Sequence, residues 1–65
     1  MDRITLKAAR VNARLKQSDV EQRLGLPRST LTRWETGKNI PRADTMIKLC
    51  DLYGVSVKEI DLRKR

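Results

Sequence analysis

Apolar positions along this chain recur at helical spacing and almost never alternate. Leu6, Ala9 and Ala13 share one stripe of a helix predicted over about 5–14. Val20 and Leu24, four apart, mark a short second helix over about 17–24. Gly25 ends it, because glycine tolerates the positive φ found just past a helix. Leu26-Pro27 then opens a third predicted helix, over about 27–36 and stopped at Gly37. Proline suits a first helical position, where its φ fits and its missing N–H had no intrahelical partner. Beyond the loop Lys38-Asn39-Ile40-Pro41, the residues Met46, Leu49, Cys50 and Tyr53 sit at i, i+3, i+4 and i+7. They predict a fourth helix over about 43–53, ended by Gly54. A last short helix over about 56–62 offers Val57 or Ile60 to the core. Only Val55-Ser56-Val57 alternates like a strand.

Five short helices with tight connections predict an all-α fold, a compact bundle in a single domain, 1–65. The second and third helices, joined across Gly25, form a central helix-turn-helix unit over about 17–36. A core of this size rarely supplies more than ~3–5 kcal/mol without a staple. The single Cys50 cannot close an internal disulfide, and with no histidine the chain has no zinc constellation. Cys50 reads as a small core residue in a reducing compartment, and helix packing, aided by self-association, must hold the fold.

Charge narrows the function. Fifteen Lys+Arg against eight Asp+Glu leave +7, which points to a polyanion, either nucleic acid or an anionic membrane surface. Nine basic and four acidic residues up to Lys38 leave +5 there, whereas six and four beyond it leave +2. Arg63, Lys64 and Arg65 more than account for the latter excess, and the tail Asp61-Leu62-Arg63-Lys64-Arg65 reads as a solvated end. Apolar stripes spread over short helices and broken by glycine and proline fit a folded core better than one interfacial helix. With neither a signal-peptide stretch nor a membrane span, a cytoplasmic, nucleoid-associated protein is expected. No histidine, metal cluster or phosphate loop is present to support an enzyme, and neither a cofactor nor a small-molecule ligand is expected.

On a helical wheel of 100° per residue, Leu31 and Trp34 fall together. Ser29, Thr32, Arg33 and Thr36 fall opposite, with Arg28 at the edge. Short polar side chains let such a face approach base edges, and arginine offers a fork to guanine O6/N7. An ordinary solvated face would give the same wheel.

The order of motifs adds to the wheel. Gln17-Ser18-Asp19-Val20, Gly25-Leu26-Pro27-Arg28-Ser29-Thr30-Leu31-Thr32-Arg33-Trp34-Glu35-Thr36-Gly37-Lys38-Asn39-Ile40-Pro41, and the flanking Leu6-Lys7-Ala8-Ala9-Arg10, Met46-Ile47-Lys48-Leu49 and Tyr53-Gly54-Val55-Ser56 together resemble the Xre/Cro-type helix-turn-helix family of phage and bacterial repressors. The resemblance runs through nearly the whole chain, with Trp-Glu-x-Gly-Lys after Ser-Thr-Leu-Thr-Arg as its most specific part. It implies a lambda-repressor-like fold. It implies that Arg28, Ser29, Thr32 and Arg33 face the major groove, and that Gln17, Thr36, Lys38, Asn39 and Arg42 contact phosphate. It also implies that Arg10 and Glu35 pair across the first and third helices. Three positions depart from the pattern: Pro27 replaces a Ser or Thr N-cap, Glu21 a small residue, and Arg14 a glycine.

Several readings stay open at the residue level. Arg28 contacts either a base or a phosphate, and Thr32 meets a thymine methyl or only water and backbone. Trp34 reads as core, since two aromatics cannot build a single-strand platform. The resemblance implies double-stranded DNA as partner, with a homodimer, contacting through about 55–62, laying two third helices into successive major grooves of a palindromic operator. The rival reading is a protein-interaction module or antitoxin that keeps the fold.

Overall fold

Thr5 starts the first helix by accepting the Ala8 N–H on its hydroxyl at 3.0 Å. The computed structural model describes residues 3–62, and over these the chain forms α1 (Leu6–Asn12), α2 (Gln17–Leu24), α3 (Thr30–Glu35), α4 (Ala43–Tyr53) and a 3-10 turn, Val57–Glu59. The predicted all-α bundle with a central helix-turn-helix is therefore present, with four helices in place of five. The basic tail at 63–65 lies outside the described residues.

Each helix stops in the same way. After α2, α3 and α4 a glycine takes positive φ (65° at Gly25, 82° at Gly37, 72° at Gly54). The next N–H reaches back to a carbonyl five residues earlier: Leu26 to Glu21 at 2.8 Å, Lys38 to Arg33 at 2.9 Å, Val55 to Cys50 at 3.0 Å. This double-bonded termination satisfies the last carbonyls of the helix. Helix α1 ends likewise, with Leu15 N–H on the Arg10 carbonyl at 3.2 Å, but Arg14 holds the left-handed position at φ 60°.

Leu6 and Ala9 of α1, Val20 of α2, Leu31 of α3 and Met46, Leu49, Cys50 and Tyr53 of α4 converge on one core with Ile60. Leu31, Leu49 and Val20 have no accessible surface. Trp34, Leu24 and Ala13 pack against its edge. Burial, with a smaller contribution from nearby Glu59, pushes the Cys50 thiol up, as a core cysteine requires.

Two elements differ from the periodicity. The third helix begins at Thr30, not near Pro27, because Ser29 turns left-handed at φ 72° and the Thr30 N–H closes a turn onto the Pro27 carbonyl at 3.3 Å. The last helix shrinks to the 3-10 turn, started by Ser56, whose hydroxyl accepts the Lys58 N–H at 3.3 Å. Beyond it the chain extends to pair with the N-terminal segment: the Ile4 N–H donates to Glu59 at 2.7 Å and the Asp61 N–H to Ile4 at 2.8 Å. Ile60 thereby enters the core while Val57 stays exposed. Asp61, expected in a solvated tail, is buried, with its N–H held on the Ile4 carbonyl by this pairing.

Candidate nucleic-acid interface

Val20 of α2 and Leu31 of α3 are both fully buried, so the two helices of the motif are held by their inner faces. Turned outward on α3 are Thr32 and Arg33, with Thr36 at its C-cap; all three are exposed. Arg28 and Ser29 are exposed too, but on the turn that precedes the helix. The polar face read from the wheel is thus split between a turn and a short helix.

Beneath this face lies a hydrogen-bonded chain that joins three helices. Arg10 Nε donates to Glu35 Oε2 at 2.7 Å and Arg10 Nη2 to Glu35 Oε1 at 3.3 Å, while Nη1 donates to the Leu15 carbonyl at 2.9 Å. The two side chains are only 11% and 3% exposed. Removing one partner of such a buried pair costs on the order of 3–5 kcal/mol. Gln17 Nε2 donates to Glu35 Oε1 at 2.9 Å, and Gln17 Oε1 accepts the Thr32 hydroxyl at 3.2 Å. The Gln17 amide is therefore engaged inside the protein. Its backbone N–H, at the first position of α2, is among the donors that a helix leaves without an internal partner.

An open cleft of about 510 Å³ runs beside this chain, lined by Lys7, Arg10, Gln17, Thr32, Glu35 and Thr36. Thr36 donates its hydroxyl to the Thr32 carbonyl at 2.8 Å, so it presents lone pairs rather than a proton to the outside. Lys38 and Asn39 are exposed, and both their N–H groups bond the Arg33 carbonyl, at 2.9 and 3.3 Å, which pins the loop to the end of α3. Arg42 is exposed and lies 3.9 Å from the Asp44 carboxylate, an exposed pair too weak to hold it against another anion. Deeper in the fold, burial first and then Glu35 push the Tyr53 hydroxyl well above its ordinary range.

The sequence reading gave no site role to two residues that the structure places at the interface. Lys7 stands one helical turn before Arg10 and so shares its face of α1, which puts a further cation at the cleft. Glu21 reaches from α2 to the start of α3, where its Oε2 accepts the Leu31 N–H at 3.4 Å. Its signal was the coincidence of a bulky acid at a close-packed position with a missing cap at Pro27.

Among the described residues no group of His, Cys, Asp and Glu could hold a metal ion, and no helix is long and apolar enough to cross a membrane. Compared with known families, residues 6–60 match the model described as helix-turn-helix. No curated protein and no solved structure matches the chain significantly.

Proposed function

The chain belongs to the helix-turn-helix family of Xre and lambda-repressor-like type, and on that premise we propose that it is a DNA-binding regulator, a dimeric repressor that reads a palindromic operator through the major groove. The observation that carries the reading is the exposed face of Arg28, Ser29, Thr32 and Arg33, small and polar except for two guanidinium forks. Such a face discriminates base edges by bidentate bonds and close approach. Around it lie cations suited to phosphate: Lys7 at the cleft, Lys38 beside Asn39 on the loop, and Arg42 at the head of α4. Gln17 contributes through its backbone N–H, and Thr36 fills space beside the backbone. These contacts position the domain and carry no sequence information themselves.

In the dimer, two copies of α3 enter successive major grooves with half-site centres about 10–10.5 bp apart. The contact between copies falls on 55–62, where Val57 is 46% exposed. Repression follows from occupying a promoter. A second reading, a protein-interaction module or antitoxin, is favoured by Ile40 and Ile47, which are 69% and 60% exposed.

Selection of bound duplexes from a random pool at about 150 mM salt separates the two, because screening at that level weakens non-specific contacts. A palindrome with half-sites one helical turn apart is the expected product. Binding that fades evenly with salt and enriches nothing would replace DNA reading with the protein-interaction role.

A further inference from the structure

The start of α3 lacks the devices that ordinarily hold a helix N-terminus. Pro27 offers no side-chain acceptor, and Ser29, at the N-cap, makes no side-chain cap bond. Four N–H groups at a helix start need partners from outside the helix. One of them, that of Leu31 at the second helical position, is met by Glu21 Oε2 from the neighbouring helix. This is the donor an N-cap side chain usually takes, and a carboxylate there also faces the positive end of the helix. We infer that Glu21 is a positioning residue, a cap supplied from α2 that fixes where α3 begins and so how Arg28, Ser29, Thr32 and Arg33 are presented to DNA.

The inference rests on the DNA-binding reading above. It ties one departure from the family pattern, Glu21, to the missing local cap: the acceptor that Ser29 does not supply comes from the adjacent helix. It also explains why an acidic side chain stands beside a face meant for a polyanion. Charge alone would weaken DNA binding there, whereas a cap bond spanning ten residues locks the two motif helices together.

Full-length variants separate capping from charge. E21A removes acceptor and charge, and E21Q keeps a carbonyl acceptor without charge. Two readouts are taken: solvent exchange of the Leu31 amide by NMR without DNA, and the ratio of affinities for the selected duplex and a random one. In E21A the Leu31 amide should exchange faster and the ratio fall about three- to tenfold, the span of a lost cap. E21Q should stay within about twofold on both. If E21A does not fold, E21D, whose stem is too short to span to Leu31, takes its place. An unchanged Leu31 amide in E21A would overturn the cap, and a changed amide with an unchanged ratio would overturn the positioning role. If the selection yields no duplex, the DNA-binding reading fails by itself and takes the presentation to DNA with it. The Leu31 amide still reports, independently, whether Glu21 caps α3.

Discussion

Arg33 and Lys38 are exposed cations five residues apart, and the proposed function gives them different work. Arg33 is exposed on the helix beside Thr32, and on that proposal its planar fork meets paired acceptors on a base edge. Lys38 stands on a loop that its own N–H ties to the end of α3, and the same proposal makes it a point charge on phosphate. Arg33→Ala should therefore cost about 1–3 kcal/mol on the selected duplex and relax preference at one base pair. Lys38→Ala should weaken all duplexes alike and lower the salt slope by about 1. Titrations on cognate and scrambled duplexes at several salt concentrations check both, and an exchange of the two phenotypes would reverse the assignment. Gln17 shows how residue identity underdetermines role. Its amide is spent on Glu35 and Thr32, which leaves the backbone N–H as the donor that the proposed phosphate contact would use.

At the scale of elements, four helices end in one left-handed termination, and only that of α1 places a side chain in the strained position. An L-residue there costs about 1–2 kcal/mol relative to right-handed geometry. Glycine removes that strain but loses about 0.4–1 kcal/mol through a freer unfolded chain. Arg14→Gly should accordingly stabilise the domain by about 0.5–1 kcal/mol, raising the urea midpoint at an unchanged slope. A lower midpoint would mean that the Arg14 side chain contributes more than its backbone costs. The elements are also tied across one another. Glu35 of α3 accepts from Arg10 of α1 and from Gln17 of α2, so displacing any one of these helices disturbs the other two.

The whole molecule depends on few reserves. Its ends are clasped by the Ile4–Ile60 bridge, which closes the bundle without a disulfide. Tyr53 fills the core beneath the Arg10–Glu35 pair, its hydroxyl buried and without a hydrogen-bond partner among the described residues. Because burial and Glu35 raise its pKa in the folded state, the unfolded chain releases this proton first, from about pH 10. Above that pH the folded state binds more protons, so stability falls as pH rises, by up to about 1.4 kcal/mol per unit from this group. Tyr53→Phe should be nearly neutral at pH 7, since no partner is orphaned, and should flatten the decline. Thermal melts of both proteins between pH 8 and about 11 check this, and parallel declines would remove Tyr53 as the cause.

What the amino-acid sequence determined by itself is what neighbours along the chain decide. Spacing placed α2 and α4 within their observed bounds, glycines marked the stops, and the wheel separated buried Leu31 from exposed Thr32 and Arg33. Backbone propensity and side-chain periodicity act over a few residues, so they can be read locally. Tertiary structure alone decided the rest. It set the start of α3, where a cap from Glu21 stands in for a local one, and the engagement of Gln17 by Glu35, 18 residues away. It also turned a predicted last helix into a 3-10 turn and an extended end, because Asp61 and Glu59 bond Ile4 from the far side of the chain. Such bonds join groups that sequence holds apart, and only the packed core brings them within reach.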